Sequence, residues 1–136
     1  MVLVNLETDY DVFNYVKEHL LKQNEKSVDP WSLSCHYRSQ KEDGKVLMCA
    51  VGCLMDDNFY SDEFENSSPS DARVRQAIES SITNWTYNVN LLSELQNIHD
   101  EYEPDNWALK LEYLESYFGG EHNEYIQAGL SYDFNI

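Results

Sequence analysis

The stretch that most constrains the fold runs from Cys35 to Met55. It holds all three cysteines, one of the four histidines, three of the nine basic residues and two of the five glycines. Near its middle stands Lys41-Glu42-Asp43-Gly44. Asp-Gly supplies the positive φ that a tight connection between antiparallel strands needs. Ser34–Ser39 before it reads as a strand. Val46–Cys53 after it is β-branched, small and almost wholly apolar, which fits a buried returning strand or a strand passing into a short helix at Cys49. Gly52 marks a close backbone approach within that segment.

Around this hairpin the periodicity is helical. Thr8 and Asp11 form a capping-box pair, followed by Val12, Phe13, Val16, Leu20 and Leu21, so a first helix is expected from about Asp9 to Gln23. Asp29-Pro30 is a stop and a turn in a polar stretch. Ser68 as N-cap with Pro69 at the first helical position opens a second helix, with Val74, Ala77, Ile78 and Ile82 on its buried stripe and Trp85 and Tyr87 at its end. Asn90 opens a third helix, with Leu91, Leu92, Leu95, Ile98, His99 and Tyr102 on one face. After Glu103-Pro104, Asp105 caps a fourth, carrying Trp107, Leu111, Leu114 and Phe118, and Gly119-Gly120 ends it. The third and fourth helices are expected to form an antiparallel hairpin. Glu121–Ile136 carries Tyr125, Ile126, Leu130, Tyr132, Phe134 and Ile136 and is expected to pack on the body or on a partner, a second copy included. The expected architecture is one domain over residues 1–136, α+β and mostly helical: a small antiparallel hairpin packed on about four helices.

Charge narrows the function classes. The net charge is −16, and from Asn88 to the end ten acidic residues face a single Lys110. Nucleic-acid binding relies on Lys and Arg against phosphates, so direct binding of DNA or RNA is not expected, nor is an anionic membrane surface. No apolar run approaches the roughly 20 residues of a spanning helix, and the N-terminus has no basic signal-like region. Three cysteines in a chain without an export signal read as reduced thiols in a cytosolic protein.

Four constellations could carry chemistry. Cys35, Cys49 and Cys53, with His36 and His99, have zinc-ligand atoms, but the paired spacing of zinc knuckles is missing and small core cysteines are the plainer account. A cysteine with His99 and Asp100 could make a thiol nucleophile only if the groups converge. Tyr37, Arg38, Gln96, His99 and Trp107, with His36 and Lys45, could line a cleft for a nucleotide-type ligand; core packing and ion pairing are the competing explanation. Asp100, Glu101, Glu103, Asp105, Glu112 and Glu115 form an acidic stretch suited to a basic partner, either by imitating DNA or simply as a solubilising face. There is no Gly-rich phosphate loop, Ser elbow or HExxH, and no cofactor or enzymatic activity is expected.

Cys35-His36-Tyr37-Arg38, then Cys49-Ala50-Val51-Gly52-Cys53-Leu54-Met55-Asp56-Asp57 and Tyr60, resembles a widespread group of small proteins encoded by tailed bacteriophages and prophages. His19-Leu20-Leu21-Lys22-Gln23, the helix from Leu91 to Asp100 and the early Trp107 of the next helix extend the resemblance nearly to Phe118. The group brings no reaction and no catalytic residues with it. The resemblance implies a phage gene product in the cytoplasm of an infected bacterium. The function expected by analogy is binding, and inhibiting or redirecting, a bacterial host or defence protein; a nucleotide-sequestering protein and a DNA mimic are the alternatives.

Overall fold

The structure is a computed structural model and describes residues 6–117. Helix α1 (Asp9–Gln23) opens on the expected capping box. Thr8 Oγ1 accepts from the Asp11 amide at 3.1 Å, and the Asp11 carboxylate accepts from the Thr8 amide at 3.1 Å. The Glu7 amide also donates to it, and these backbone bonds hold the Asp11 carboxyl below its ordinary range. Asn24, at φ 53°, closes α1 by returning its amide to Leu20 O. Val12, Phe13, Val16 and Leu20 face the core.

Strands β1 (Arg38–Gln40) and β2 (Val46–Met48) pair antiparallel, with Ser39 opposite Leu47 and Gln40 opposite Val46. Gly44, at φ 90°, makes the turn. Of the expected Ser34–Ser39 strand only Arg38 and Ser39 join this sheet, and β1 runs one residue further, to Gln40. Residues just before it pair backwards instead. The His36 amide donates to Ser27 O, Asp29 N–H to Ser34 O, and Val28 and Cys35 form an isolated bridge. The Tyr37 and Arg38 amides donate to the Glu65 carboxylate at 2.8 and 3.2 Å, so a side chain stands where a third strand would.

Past β2 the chain tightens into a 3₁₀ turn at Gly52–Leu54. A Cβ on Gly52 would overlap the Tyr37 carbonyl, 2.7 Å from its carbon. That is the close approach expected from the sequence, and it locks the turn under the strand. A second 3₁₀ turn, Asp62–Phe64, pins Phe64 into the core.

Helix α2 (Ala72–Ser81) starts later than expected. Ser68 and Pro69 form a turn, the Pro69 carbonyl accepts from Tyr87 Oη at 2.6 Å, and Asp71 is the N-cap, accepting from the Arg73 amide. The helix stops at Ser81, before Trp85, whose indole N–H reaches Asp9 at 2.8 Å. Helix α3 (Val89–Glu101) is capped by Asn88 rather than opened by Asn90, and α4 (Pro104–Glu115) begins with Pro104 at its first position, ahead of Asp105. Phe118, Gly119-Gly120 and the Glu121–Ile136 extension lie outside the described residues.

Helix α1 packs on α3, on α4 and on the Gly52–Leu54 turn, and α3 packs on α4. Leu91, Leu92, Leu95, Ile98, Trp107, Leu111 and Leu114 fill the core between them. The protein is α+β and mostly helical. Among the described residues no helix is long and apolar enough to cross a membrane.

Candidate functional site

The one face of α3 that meets the Cys35 segment collects most of the chemistry. A cleft of about 260 Å³ lies between Cys35–Tyr37, the 65–69 loop and α3, with Gln96 and Asp100 on its helical wall. Behind that wall His99 is fully buried. Its Nε2 accepts from the Ser27 amide at 2.9 Å, and its Nδ1 lies 2.7 Å from Asp100 Oδ1. An acceptor at Nε2 carries no proton, so the ring's proton sits on Nδ1 and is donated to Asp100. The Trp107 ring stacks on the imidazole at 5.5 Å, and its N–H donates to Tyr102 O.

Cys35, His99 and Asp100 form the only trio of potential metal ligands, with atoms within 4.8 Å of one another, among the described residues. Its hydrogen bonding does not suit a metal. An ion on Nδ1 would move the imidazole proton to Nε2, where it would face the Ser27 N–H donor. The convergence that a thiol nucleophile would require is present in this trio, but its bonding and charge do not favour a thiolate. Both ring nitrogens of His99 are already engaged, Nε2 by the Ser27 amide and Nδ1 by Asp100, so neither is free to take the thiol's proton. Burial, and then the Asp100 charge, push the Cys35 thiol up to about 11. Cys49 and Cys53 sit apart from this trio. Cys49 Sγ accepts from the Gly52 amide and the Cys53 thiol donates to Ala50 O. Burial pushes Cys49 up to about 12 and Cys53 well above its ordinary value. These are the thiols of core residues.

The proposed ligand set is divided. Tyr37 and Gln96 line the cleft, and His36 joins them. Both ends of Gln96 are engaged: Oε1 accepts from the Val51 amide and Nε2 donates to Asp100. The Tyr37 hydroxyl donates to Ser67 O, and burial raises the phenol above its usual range. Arg38 is turned away, with its guanidinium on Asp57 and Met55 O and over the Tyr60 ring at 4.6 Å. His99 and Trp107 are core, and Lys45 is paired with Glu25 on the outer hairpin. The cleft is therefore walled by Glu65 and Asp100 with no Lys or Arg among its lining residues, the wrong sign for a phosphate.

The acidic residues also divide. Asp100 is consumed by Gln96 and His99, and Glu115 pairs with Lys17 at 2.8 Å. Glu101, Glu103, Asp105 and Glu112 are exposed, and Glu103 lies 3.6 Å from Lys26. On α4 the exposed carboxylates flank Leu109, 66% exposed, and Tyr113. Leu109, off the buried stripe of α4, and Trp31, 93% exposed after Asp29-Pro30, are not among the residues expected from the sequence to make contacts. An unpaired aromatic inside a polar turn was the available signal for Trp31. Comparison with protein-family models, with curated proteins and with solved structures finds no match.

Proposed function

We propose that this chain is a non-enzymatic accessory protein of a tailed bacteriophage. It acts in the cytoplasm of the infected cell by binding a bacterial host or defence protein and inhibiting or redirecting it. The observation that supports this most is the outer face of α4. Leu109 and Tyr113 offer apolar anchors, with Asp105 and Glu112 beside them and Glu101 and Glu103 at the α3–α4 junction. Anchors ringed by charge are the ordinary anatomy of a protein interface, and a chain of net charge −16 complements a basic partner. The cysteines and His99 are engaged in internal bonds, which weighs against catalysis, and the carboxylate-walled cleft weighs against a nucleotide.

The test is native mass spectrometry of tagged protein purified from infected bacteria. A basic protein at fixed stoichiometry is expected with the wild type and not with an Asp105→Lys, Leu109→Ser, Glu112→Lys variant. Equal retention of the same partner by the variant would sink the α4 assignment. A co-purified small molecule on a bare chain would sink the protein-binding function itself.

A further inference from the structure

The segment from Ser27 to His36 is a small hairpin closed by its own hydrogen bonds. Asp29 N–H donates to Ser34 O and Leu33 N–H to Asp29 O, while the Asp29 carboxylate accepts from both the amide and the hydroxyl of Ser32 at 2.8 Å. Leu33 holds a left-handed φ of 61°, a conformation that a leucine keeps only where its surroundings impose it. The tip so fixed carries Trp31 and Leu33, 93% and 77% exposed. Nothing in the core needs these side chains, and a free surface does not favour them.

Trp31 is also one wall of a groove of about 340 Å³, completed by Pro30, Gln40, Lys41 and Glu42. Val46, 52% exposed, stands opposite Gln40 on the same sheet face and extends the apolar surface. A projecting ring and a receiving groove thus share one patch. That is the condition for an isologous contact, in which the same surface serves both partners of a two-fold pair. Charge selects the same edge. Over most of the molecule two copies at −16 repel, and from Asn88 onward ten acidic residues face one lysine. The groove instead carries both signs at its rim, with Lys41 beside Glu42 and with Lys41 and Lys45 within 3.0 and 3.6 Å of Glu25. A two-fold axis through the groove can set Lys41 of one copy against Glu42 of the other.

We infer that two copies of this chain associate through this edge, with Trp31 of each seated in the groove of the other. The contact shares no residue with the α4 face of Asp105, Leu109, Glu112 and Tyr113.

Sedimentation velocity over a wide concentration range, paired with acrylamide quenching, tests it. Trp85 and Trp107 are buried, so accessible tryptophan emission reports Trp31. The mass is expected to double with concentration as the quenchable emission disappears. Trp31→Ser should stay at monomer mass throughout, while Leu109→Ser, altered on α4, should still double. A monomer at every concentration overturns the inference and leaves the α4 assignment standing. So does a dimer in which Trp31 remains quenchable, or one that Trp31→Ser forms equally well. A monomer whose captured host protein is lost on Trp31→Ser would overturn it in favour of a foreign partner at this hairpin.

Discussion

The buried junction of the Cys35 segment with α3 and the outer face of α4 use similar residue types to opposite ends. At the junction, thiol, imidazole and carboxylate satisfy one another and the Ser27 amide, in a site closed by Trp107. On α4, carboxylates and apolar side chains stand exposed beside each other. A set of reactive residue types is therefore a poor guide to function when every polar atom already has a partner. Exposed apolar groups among like charges are the better guide, because folding alone does not account for them.

The contrast breaks most sharply at Gly52. Gly52→Ala forces a Cβ into the Tyr37 carbonyl, which is backbone and has little room to yield, so a loss of about 3 kcal/mol or more, or no folded protein, is expected in urea titrations. Next is His99→Ala, which leaves the Ser27 amide without its acceptor and opens a cavity against Trp107. About 2–4 kcal/mol should be lost by the same measurement, with no specific effect on partner selection. Thr8→Ala, which removes the α1 cap, should cost about 1 kcal/mol. Smallest is the surface pair Asp105→Lys and Glu112→Lys, expected to change stability by less than about 0.5 kcal/mol while weakening partner binding; a large stability loss would mean the face is structural.

Titration sharpens the same division. The raised thiols of Cys35 and Cys49, at about 11 and 12 against 9.0 for a free cysteine thiol, contribute stability that is complete below pH 9.0. It is lost as pH rises through those folded values, because the unfolded chain releases its protons first. The raised phenols of Tyr37, Tyr60 and Tyr87 act in the same direction. His19 has the opposite sign. Burial lowers it below 6.5 while its Nε2 donates to Met48 O, so stability should decline as pH falls below 6.5 and the unfolded chain takes up the proton. Thermal melts across pH check both limbs; a curve flat from pH 8 to 12 would contradict the burial of the thiols.

Much of the fold was legible because it is written in local rules. The Thr8/Asp11 box, the Asp43-Gly44 turn and the spacing of Val12, Phe13, Val16 and Leu20 each fix structure within a few residues. Gly52 was legible as a close approach, though not as one against Tyr37. What escaped depends on distant partners. The Glu65 carboxylate takes the Tyr37 and Arg38 amides, Tyr87 takes the Pro69 carbonyl, and so the strand and the start of α2 both shorten. The candidate ligand set divided for a related reason. Tyr37, just ahead of β1, lines the cleft with Cys35 and His36, whereas Asp57, Met55 O and the Tyr60 ring draw the Arg38 guanidinium away. Trp31 was overlooked because a turn signal says where the chain reverses and not what it displays.

The most direct test of the central claim, that this protein works through its α4 face and not through the half-buried Cys35 and the buried His99, compares two variants against one purified partner. The partner is the protein that co-purifies with the wild type. Its affinity for Asp105→Lys/Glu112→Lys and for Cys35→Ala would be measured by calorimetry at equal salt. The surface variant should bind about tenfold or more weaker, roughly 1.4 kcal/mol, with Cys35→Ala unchanged. Loss on Cys35→Ala with the surface variant intact would contradict the account.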